Sequence, residues 1–495
     1  MRERIAALVV VALLAAYAWI APGVRHRFLH DVITWDAPKS QAVELPPGIG
    51  PGLMPAPRVR VILIDGLSAS TAHTLTTWSS LCKRGLDLDV DVGFPTVSLP
   101  VEVSLWTGLT QQQTGIVFRS DRPLVPPLAK SIPSDVPGSR AVAENHGYIV
   151  RSIGFASTLP PAADSPVKDR DAEAWKTKWE AAARDAVTSD ARLAFVHVLR
   201  VDTWGHRKGR DSDEYNQAAR EADAILGRLY AAAPDARWFL LSDHGHLAEG
   251  GHGGEEREVR QVEHCIVGPG IEPRRGGLVH LVDMSRAIAD SVGVSLDHAS
   301  RARPLMVALH EPLEQDIAVP RLPLHRGALA IFALALGIAA TVWGVRRWWL
   351  APLWFILGCI LLLLVRGQPT LSTPMLYAPE GRTMYLAWLP ALPLATAATW
   401  FGLGRLPLGR VLVAQLAVPA AALVANLIAC GGWSALLGAE TAPVVPHFTG
   451  YTSPLLLLTA HGSAAVALAV LARTVRSAFG RQPPAETPRS APSGD

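Results

Sequence analysis
The sequence predicts an α/β domain built on a largely parallel central sheet, held to a membrane by an N-terminal transmembrane anchor and a C-terminal helical transmembrane bundle. Three observations predict this. Short β-type runs alternate with amphipathic stretches between Arg58 and about Arg303, the pattern of repeated βαβ units. Long apolar runs crowd the last third of the chain, each near the roughly 20 residues a helix needs to cross about 30 Å of hydrocarbon. The 495 residues are 49% hydrophobic and only 18% charged, with a positive mean hydropathy, a balance shifted toward membrane proteins.

Taken in order, the basic start MRER is followed by an apolar run from Ile5 to Ala21, either an anchor over residues 1–22 or the apolar stretch of a signal peptide cut near Ala16-Tyr17-Ala18. The membrane spans that come later favour the anchor. Residues 23–57 form a linker, Pro- and Gly-rich from Pro46 to Pro57. The exported domain covers 58–310. Val59 to Ile64, Ala191 to Leu199, Arg237 to Leu241 and His264 to Val267 read as buried strands, and Ala172 to Val187 and Asp213 to Tyr230 as covering helices. A connector over 311–326 leads to a bundle of about five helices in 327–473, with apolar runs at Gly327 to Val345, Trp348 to Val365, Met384 to Leu403, Val411 to Cys430 and Ser453 to Ala472. Residues 474–495 are expected to be a disordered cytoplasmic tail. Arg2, Arg4, Arg346, Arg347, Arg405, Arg410, Arg473, Arg476 and Arg481 alternate onto one side of these spans, which should be cytoplasmic. The expectation is therefore an integral protein of the cell (inner) membrane, with its domain extracytoplasmic (periplasmic) and both termini cytoplasmic. Asn145, Asn216 and Asn426 are the only asparagines and none opens a glycosylation sequon, which favours a bacterial setting.

A net charge of +3, with no Lys/Arg block interleaved with aromatics, excludes a nucleic-acid partner. Cys82, Cys265, Cys359 and Cys430 form neither a C-x-x-C motif nor a ligand-spaced set, so no zinc module or disulfide framework is indicated, and a Cys82–Cys265 bridge stays open.

Acidic and imidazole side chains stand at or just after the carboxyl ends of predicted strands: Asp65 in VILIDG, Asp202 and His206 in LRVDTWGH, Asp243 and His244 in FLLSDHG. In an open parallel sheet those ends face one crevice. Carboxylates crowded there are costly unless cations neutralise them, and mixed Asp oxygen and His nitrogen suits zinc or a similar divalent ion. Singly, each motif has a plainer reading. Asp65-Gly66 and Asp243-His244-Gly245 read as turns after strands, Asp202 with His206 as a solvated helix-start pair, and His252 in GGHGG as a loop histidine. His246 reads as a support residue. It is their joint occurrence at strand ends that points to metal.

In FPTVSLPVEVSLWTG, Ser98 stands two residues before Pro100 at the start of an apolar helix-like segment, where a hydroxyl can face an anion. A serine hydroxyl is a poor nucleophile at neutral pH without a base or a metal, and the converging cations would supply that activation. Thr96, Ser104 and Thr107 are rival hydroxyls; Ser104 and Thr107 read as capping or turn residues.

IDG at Asp65, PTVSLP followed by SLWTG, DTWGH, and SDHG followed by GGHGG together resemble the type I phosphodiesterase/nucleotide pyrophosphatase group and the related glycosylphosphatidylinositol ethanolamine-phosphate transferases of the alkaline phosphatase superfamily, over about residues 58 to 270. The resemblance implies an alkaline-phosphatase-like sandwich, one zinc held by Asp202, His206 and His252, another by Asp65, Asp243 and His244, and Ser98 bridging toward both. Two departures stand out. Serine replaces the family's usual threonine nucleophile, and Val101, followed by Glu102, replaces the asparagine that holds a phosphate oxygen. The sulfatase signature is absent, since Ser98-Leu99-Pro100-Val101-Glu102 lacks the required arginine.

The expected chemistry is in-line attack by Ser98 on a phosphodiester, giving a phosphoseryl intermediate that passes to water or to an acceptor hydroxyl. The polytopic tail leans toward a membrane lipid or lipid-linked glycan as substrate. Alternatives are a soluble-substrate phosphodiesterase and a noncatalytic membrane scaffold that binds an anionic lipid or glycan. Phosphomonoester hydrolysis is disfavoured, because only Arg119 or Arg200 offers itself to clamp a dianion.

Overall fold
The computed structural model describes residues 2–34, 50, 52–114, 116, 130–145, 150, 152–159, 173–248, 250–254, 256–313, 324–344, 353–366, 391–397, 406–430 and 446–479. Its centre is one eight-stranded sheet: β1 (Val59–Ile64), β2 (Leu86–Asp91), β3 (Arg140–Ala143), β4 (Ser157–Leu159), β5 (Leu193–Val198), β6 (Arg237–Leu241), β7 (Gln261–Val267) and β8 (Arg274–His280). The spatial order is β4-β3-β5-β1-β6-β7-β2-β8. Strands β4, β3, β5, β1 and β6 are mutually parallel, β7 runs antiparallel to both β6 and β2, and β2 pairs in parallel with β8. The sheet is thus mostly parallel but mixed, and the architecture is α/β.

Strand β1 (VRVILI) shows why the centre forms. Its apolar side chains alternate between two cores: Val59, Val61 and Leu63 face one, Ile62 and Ile64 the other. Every one of its residues is buried. On the first face pack α3 (Ser98–Thr107) and α7 (Leu281–Val292); on the second, α2 (Thr76–Cys82), α4 (Glu173–Thr188) and α6 (Asp213–Ala232). Helix α1 (Arg2–Thr34) precedes the sheet in the chain, and α5 (Arg200–Lys208) follows β5. Buried Arg60 is accommodated because its guanidinium donates to Val187 O (2.6 Å), Ser189 O (2.7 Å) and Ala191 O (2.8 Å), the carbonyls at and just beyond the end of α4.

Strands β1 and β6 coincide with the expected runs, β5 lies within its expected run, and β7 ends at Val267 as expected but starts earlier, at Gln261. β2, β3, β4 and β8 are additional. Leu86–Asp91 alternates Leu or Val with Asp, and its outward Asp87 and Asp89 pair with Arg275 of β8, Asp89 at 2.8 Å. That cross-strand pairing is a feature no single segment displays. Cys82 of α2 and Cys265 of β7 form a disulfide, Cα to Cα 5.3 Å, which closes the possibility the sequence left open.

Outside this domain, α1 runs through Pro22 and Gly23 to Thr34, beyond the expected limit at residue 22. The C-terminal helices are α8 (Leu324–Gly344), α9 (Leu353–Arg366), α10 (Ala391–Ala397), α11 (Leu408–Cys430) and α12 (Pro446–Phe479). Two segments among the described residues, Gly409–Ile428 and Leu458–Arg476, are long and apolar enough to cross a membrane; Ile5–Ala21 and Ala328–Ala339 are shorter apolar helices. Most of the expected Met384 span, together with Arg346, Arg347 and Arg119, lies outside the described residues.

Candidate active site and metal centre
Strands β5, β1 and β6 are neighbours, and the candidate residues follow their carboxyl ends: Asp65 after β1, Asp202 and His206 on α5 after β5, Asp243 and His244 after β6. The fold therefore brings all seven side chains singled out in the sequence to one edge of the sheet. They form two adjoining groups.

In the first, Asp202 Oδ1 lies 3.3 Å from His206 Nε2 and 3.5 Å from His252 Nε2, and the two imidazole nitrogens are 3.1 Å apart. In the second, His244 Nε2 lies 3.4 Å from Asp65 Oδ1, 3.3 Å from Asp243 Oδ2 and 3.2 Å from Ser98 Oγ, which is itself 3.5 Å from Asp65 Oδ1. Ligand atoms set about 2.0–2.1 Å from a tetrahedral ion lie about 3.3 Å from one another. These separations match that spacing.

The surroundings orient the donors. Asp243 Oδ1 accepts from the amides of Gly66 and His244, both at 3.0 Å, while the buried Oδ2 has no hydrogen-bond partner and faces the group. His252 Nδ1 donates to Thr96 O (2.7 Å) and His244 Nδ1 to Gly245 O (3.1 Å), which turns each Nε2 lone pair inward. His246 differs. Its Nδ1 accepts from Gly251 N (3.2 Å), so its Nε2 carries the proton and donates to Asp202 Oδ1 (3.0 Å). His246 thus braces the Asp202 carboxylate. The glycine of DTWGH is required by this packing: a Cβ on Gly205 would stand 2.5 Å from the His246 ring.

Electrostatics point the same way. Burial pushes Asp65 well above the usual carboxyl range, and the Asp243 and Asp202 carboxylates add to the shift. Burial likewise raises Asp243 to about 6, against the opposing Gly66 amide. Burial lowers His244 to about 4 and His252 well below the ordinary imidazole value. For Asp202 the burial effect is outweighed by His206, His246 and His252, which hold it well below normal. Buried carboxylates beside imidazoles form a set that needs cations. Two clusters here have donor atoms close enough to hold a metal ion: Asp65, Asp243 and His244, and Asp202 with His244, His246 and His252.

The rival hydroxyls are engaged elsewhere: Thr96 Oγ1 donates to Gly254 O (2.8 Å), Ser104 Oγ to Pro100 O (3.0 Å) and Thr107 Oγ1 to Val103 O (2.7 Å). Arg200 is tied to Glu144 (2.8 Å) and Glu221 (3.2 Å). Two residues near the site carried no role in the sequence reading. Glu102 and His197 are fully buried against Asp65, each inside an apolar run whose default reading is core packing; the only available signal was a polar residue in such a run.

Residues 133–275 match the type I phosphodiesterase / nucleotide pyrophosphatase family. The phosphodiesterase match contains Asp202, His206, Asp243, His244 and His252, while Asp65 and Ser98 precede it. Among solved structures, the murine ectonucleotide pyrophosphatase / phosphodiesterase 5 is 13% identical, covering 48% of this chain and 96% of its own, with a TM-score of 0.38. The human protein is also 13% identical (48% and 95%, TM-score 0.39). A Vibrio parahaemolyticus protein in the alkaline phosphatase superfamily is 14% identical (59% and 79%, TM-score 0.37). No curated protein matches the chain.

Proposed function
We propose that the chain is a membrane-anchored phosphodiesterase or phosphotransferase in which Ser98 is the nucleophile and two divalent cations, zinc by the chemistry of the donors, occupy the paired groups. The observation that carries this is the convergence of Asp65, Asp243, His244 and Ser98 beside Asp202, His206 and His252, with donor separations of 3.1–3.5 Å. Asp202, His206 and His252 would hold one cation, and Asp65, Asp243 and His244 the other. Bound there, the cations supply positive charge toward the phosphoryl oxygens and favour ionisation of the serine hydroxyl.

The chain's own groups do the rest. Ser98 opens α3, so its Oγ stands where amides ahead of the first intrahelical bond, Val101 N to Val97 O, can face an anion. Ser98 Oγ bonds to phosphorus as the ester P–O bond breaks, and the serine proton leaves with the departing alcohol; water or an acceptor hydroxyl then displaces Oγ from phosphorus, takes the phosphoryl group and returns a proton to Ser98. The engagement of Arg200 by two glutamates leaves it unsuited to clamp a dianionic monoester, which supports a diester substrate.

A lipid or lipid-linked glycan substrate in the inner membrane fits the helical bundle. There, apolar side chains such as Leu8, Leu13, Ile331, Phe332 and Leu468 point outward, while Gln415, Thr459 and Ser463 are buried. That arrangement suits a bilayer as the solvent. A disulfide in the α/β domain supports an oxidising, extracytoplasmic compartment.

Bis(4-nitrophenyl) phosphate assayed with the full-length protein in detergent tests the reading. Hydrolysis should be lost on chelation and return with zinc, and mass spectrometry should find the transferred group on Ser98. Activity indifferent to a chelator that strips all metal would defeat the two-cation mechanism.

A further inference from the structure
Behind the second donor group lies a pair of side chains that the mechanism above does not use. Glu102 and His197 are 0% and 1% exposed, and Asp65, against which they pack, is 1% exposed. His197 Nε2 sits 3.1 Å from Glu102 Oε1 and 3.3 Å from Asp65 Oδ2. Neither the Glu102 oxygens nor the His197 nitrogens make a hydrogen bond of good geometry, so carboxylate and imidazole offset each other's burial as a close pair, 3.1 Å apart. The two carboxylate oxygens of Asp65 are thereby divided: Oδ1 faces His244 and Ser98, and Oδ2 faces His197.

The chain positions of the pair matter as much as the distances. His197 lies on β5 in register with Leu63 of β1, two residues before Asp65. Glu102 lies on α3 one turn after Ser98, on the same face of the helix. A carboxylate, an imidazole and a second carboxylate therefore link the helix that begins with the nucleophile to the strand end that carries Asp65. Neither Glu102 nor His197 can reach a substrate.

We infer that Glu102 and His197 are positioning residues that fix the Asp65 carboxylate and the start of α3, and so set how tightly the group of Asp65, Asp243 and His244 holds its cation. The inference rests on the two-cation reading proposed above. Without His197 the Asp65 carboxylate is free to turn its Oδ1 away from His244, and the Glu102 carboxylate loses its partner; the donor group then pays for its cation with ordering that the intact pair supplies in advance.

The test counts zinc bound to the full-length protein in detergent, equilibrated with buffered free zinc, and follows kcat and KM for bis(4-nitrophenyl) phosphate as free zinc is raised. Wild type should hold about two ions. At the free zinc that saturates wild type, His197→Ala should hold about one, with kcat down about tenfold or more, KM within about twofold, and activity returning as zinc is raised about a hundredfold. Glu102→Gln should shift the zinc requirement in the same direction by a smaller factor, and His197→Gln should restore most of the loss. Rescue by zinc is a readout that a purely structural defect does not give, and should His197→Ala fail to fold, Glu102→Gln carries the test. Two ions and an unchanged zinc dependence in these variants overturn the inference. So do three ions in wild type falling to two in both His197→Ala and Glu102→Gln, since the pocket would then itself be a cation site. An active wild type without any ion overturns the underlying two-cation reading instead.

Discussion
Ser98 is the residue on which the proposed chemistry turns, and its neighbours show why removing one oxygen should matter so much. Its Oγ stands 3.2 Å from His244 Nε2 and 3.5 Å from Asp65 Oδ1, while Thr96, the nearest rival hydroxyl in sequence, is committed to the loop at Gly253 and Gly254. Ser98→Ala should therefore lower kcat by about three orders of magnitude or more. Zinc content should stay near two ions per chain, because Asp65, Asp243 and His244 remain. Steady-state kinetics with elemental analysis checks both, and near-normal turnover would remove Ser98 from its role. The residues of this site differ in how legible they were. Asp65, Asp202 and Asp243 follow apolar β-type runs, and the parallel-sheet rule alone sends such positions to one crevice. Glu102 and His197 offered no such cue, because what makes them distinctive is their meeting across 95 residues of chain.

Among the elements, β7 is the one whose role was hardest to foresee and whose behaviour can be tested by pH. It enters antiparallel between β6 and β2, and it carries both Cys265 of the disulfide and the buried Glu263. Burial, and then the Asp87 carboxylate, raise Glu263 to about 8; Trp78 Nε1 donates to it at 3.0 Å, and His73 and Arg275 face it at 3.1 and 3.6 Å. The folded protein thus binds a proton here that the unfolded chain releases near the ordinary glutamate value of about 4.3. Its contribution is fully present below that value and is lost as pH rises through about 8. Melting temperatures measured from pH 5 to 8.5 should fall more steeply for wild type than for Glu263→Gln; parallel slopes would mean that Glu263 does not titrate in this range. The strands that escaped the sequence reading share a cause with this one. β2 (LDLDVD) and β8 (RRGGLVH) carry charges or glycines that lower their apparent strand character, and they become strands because Arg275 meets Asp87 and Asp89 across the pair. β1 and β6, buried on both faces, announce themselves by composition.

At the scale of the whole molecule, the packing of the apolar helices bears on the proposed topology. Ala7, near the start of α1, packs with Val466 and Val470 toward the end of α12 and with Leu412 near the start of α11. Further along, Tyr17 Oη and Thr459 Oγ1 are 2.6 Å apart, so α1 and α12 run in opposite directions. Arg473 donates to Leu406 O at 3.2 Å, which joins the arginine-bearing end of α12 to the segment that holds Arg410. The start of α1, the start of α11 and the end of α12 thus lie together, and Arg410, Arg473 and Arg476 belong to the last two of these ends. Arginine clusters of this kind stay on the cytoplasmic side, since translocating them is unfavourable. In the proposed topology both termini are therefore inside and the α/β domain is outside. Epitope tags placed before Met1 and after Asp495 should resist protease added to intact spheroplasts, whereas a tag inserted at Gly138, an exposed left-handed turn with open space around its Cα, should be removed. Alkaline extraction should leave the chain in the membrane pellet. Loss of the C-terminal tag alone would place an odd number of crossings in the chain, and loss of both terminal tags with the domain protected would invert the orientation.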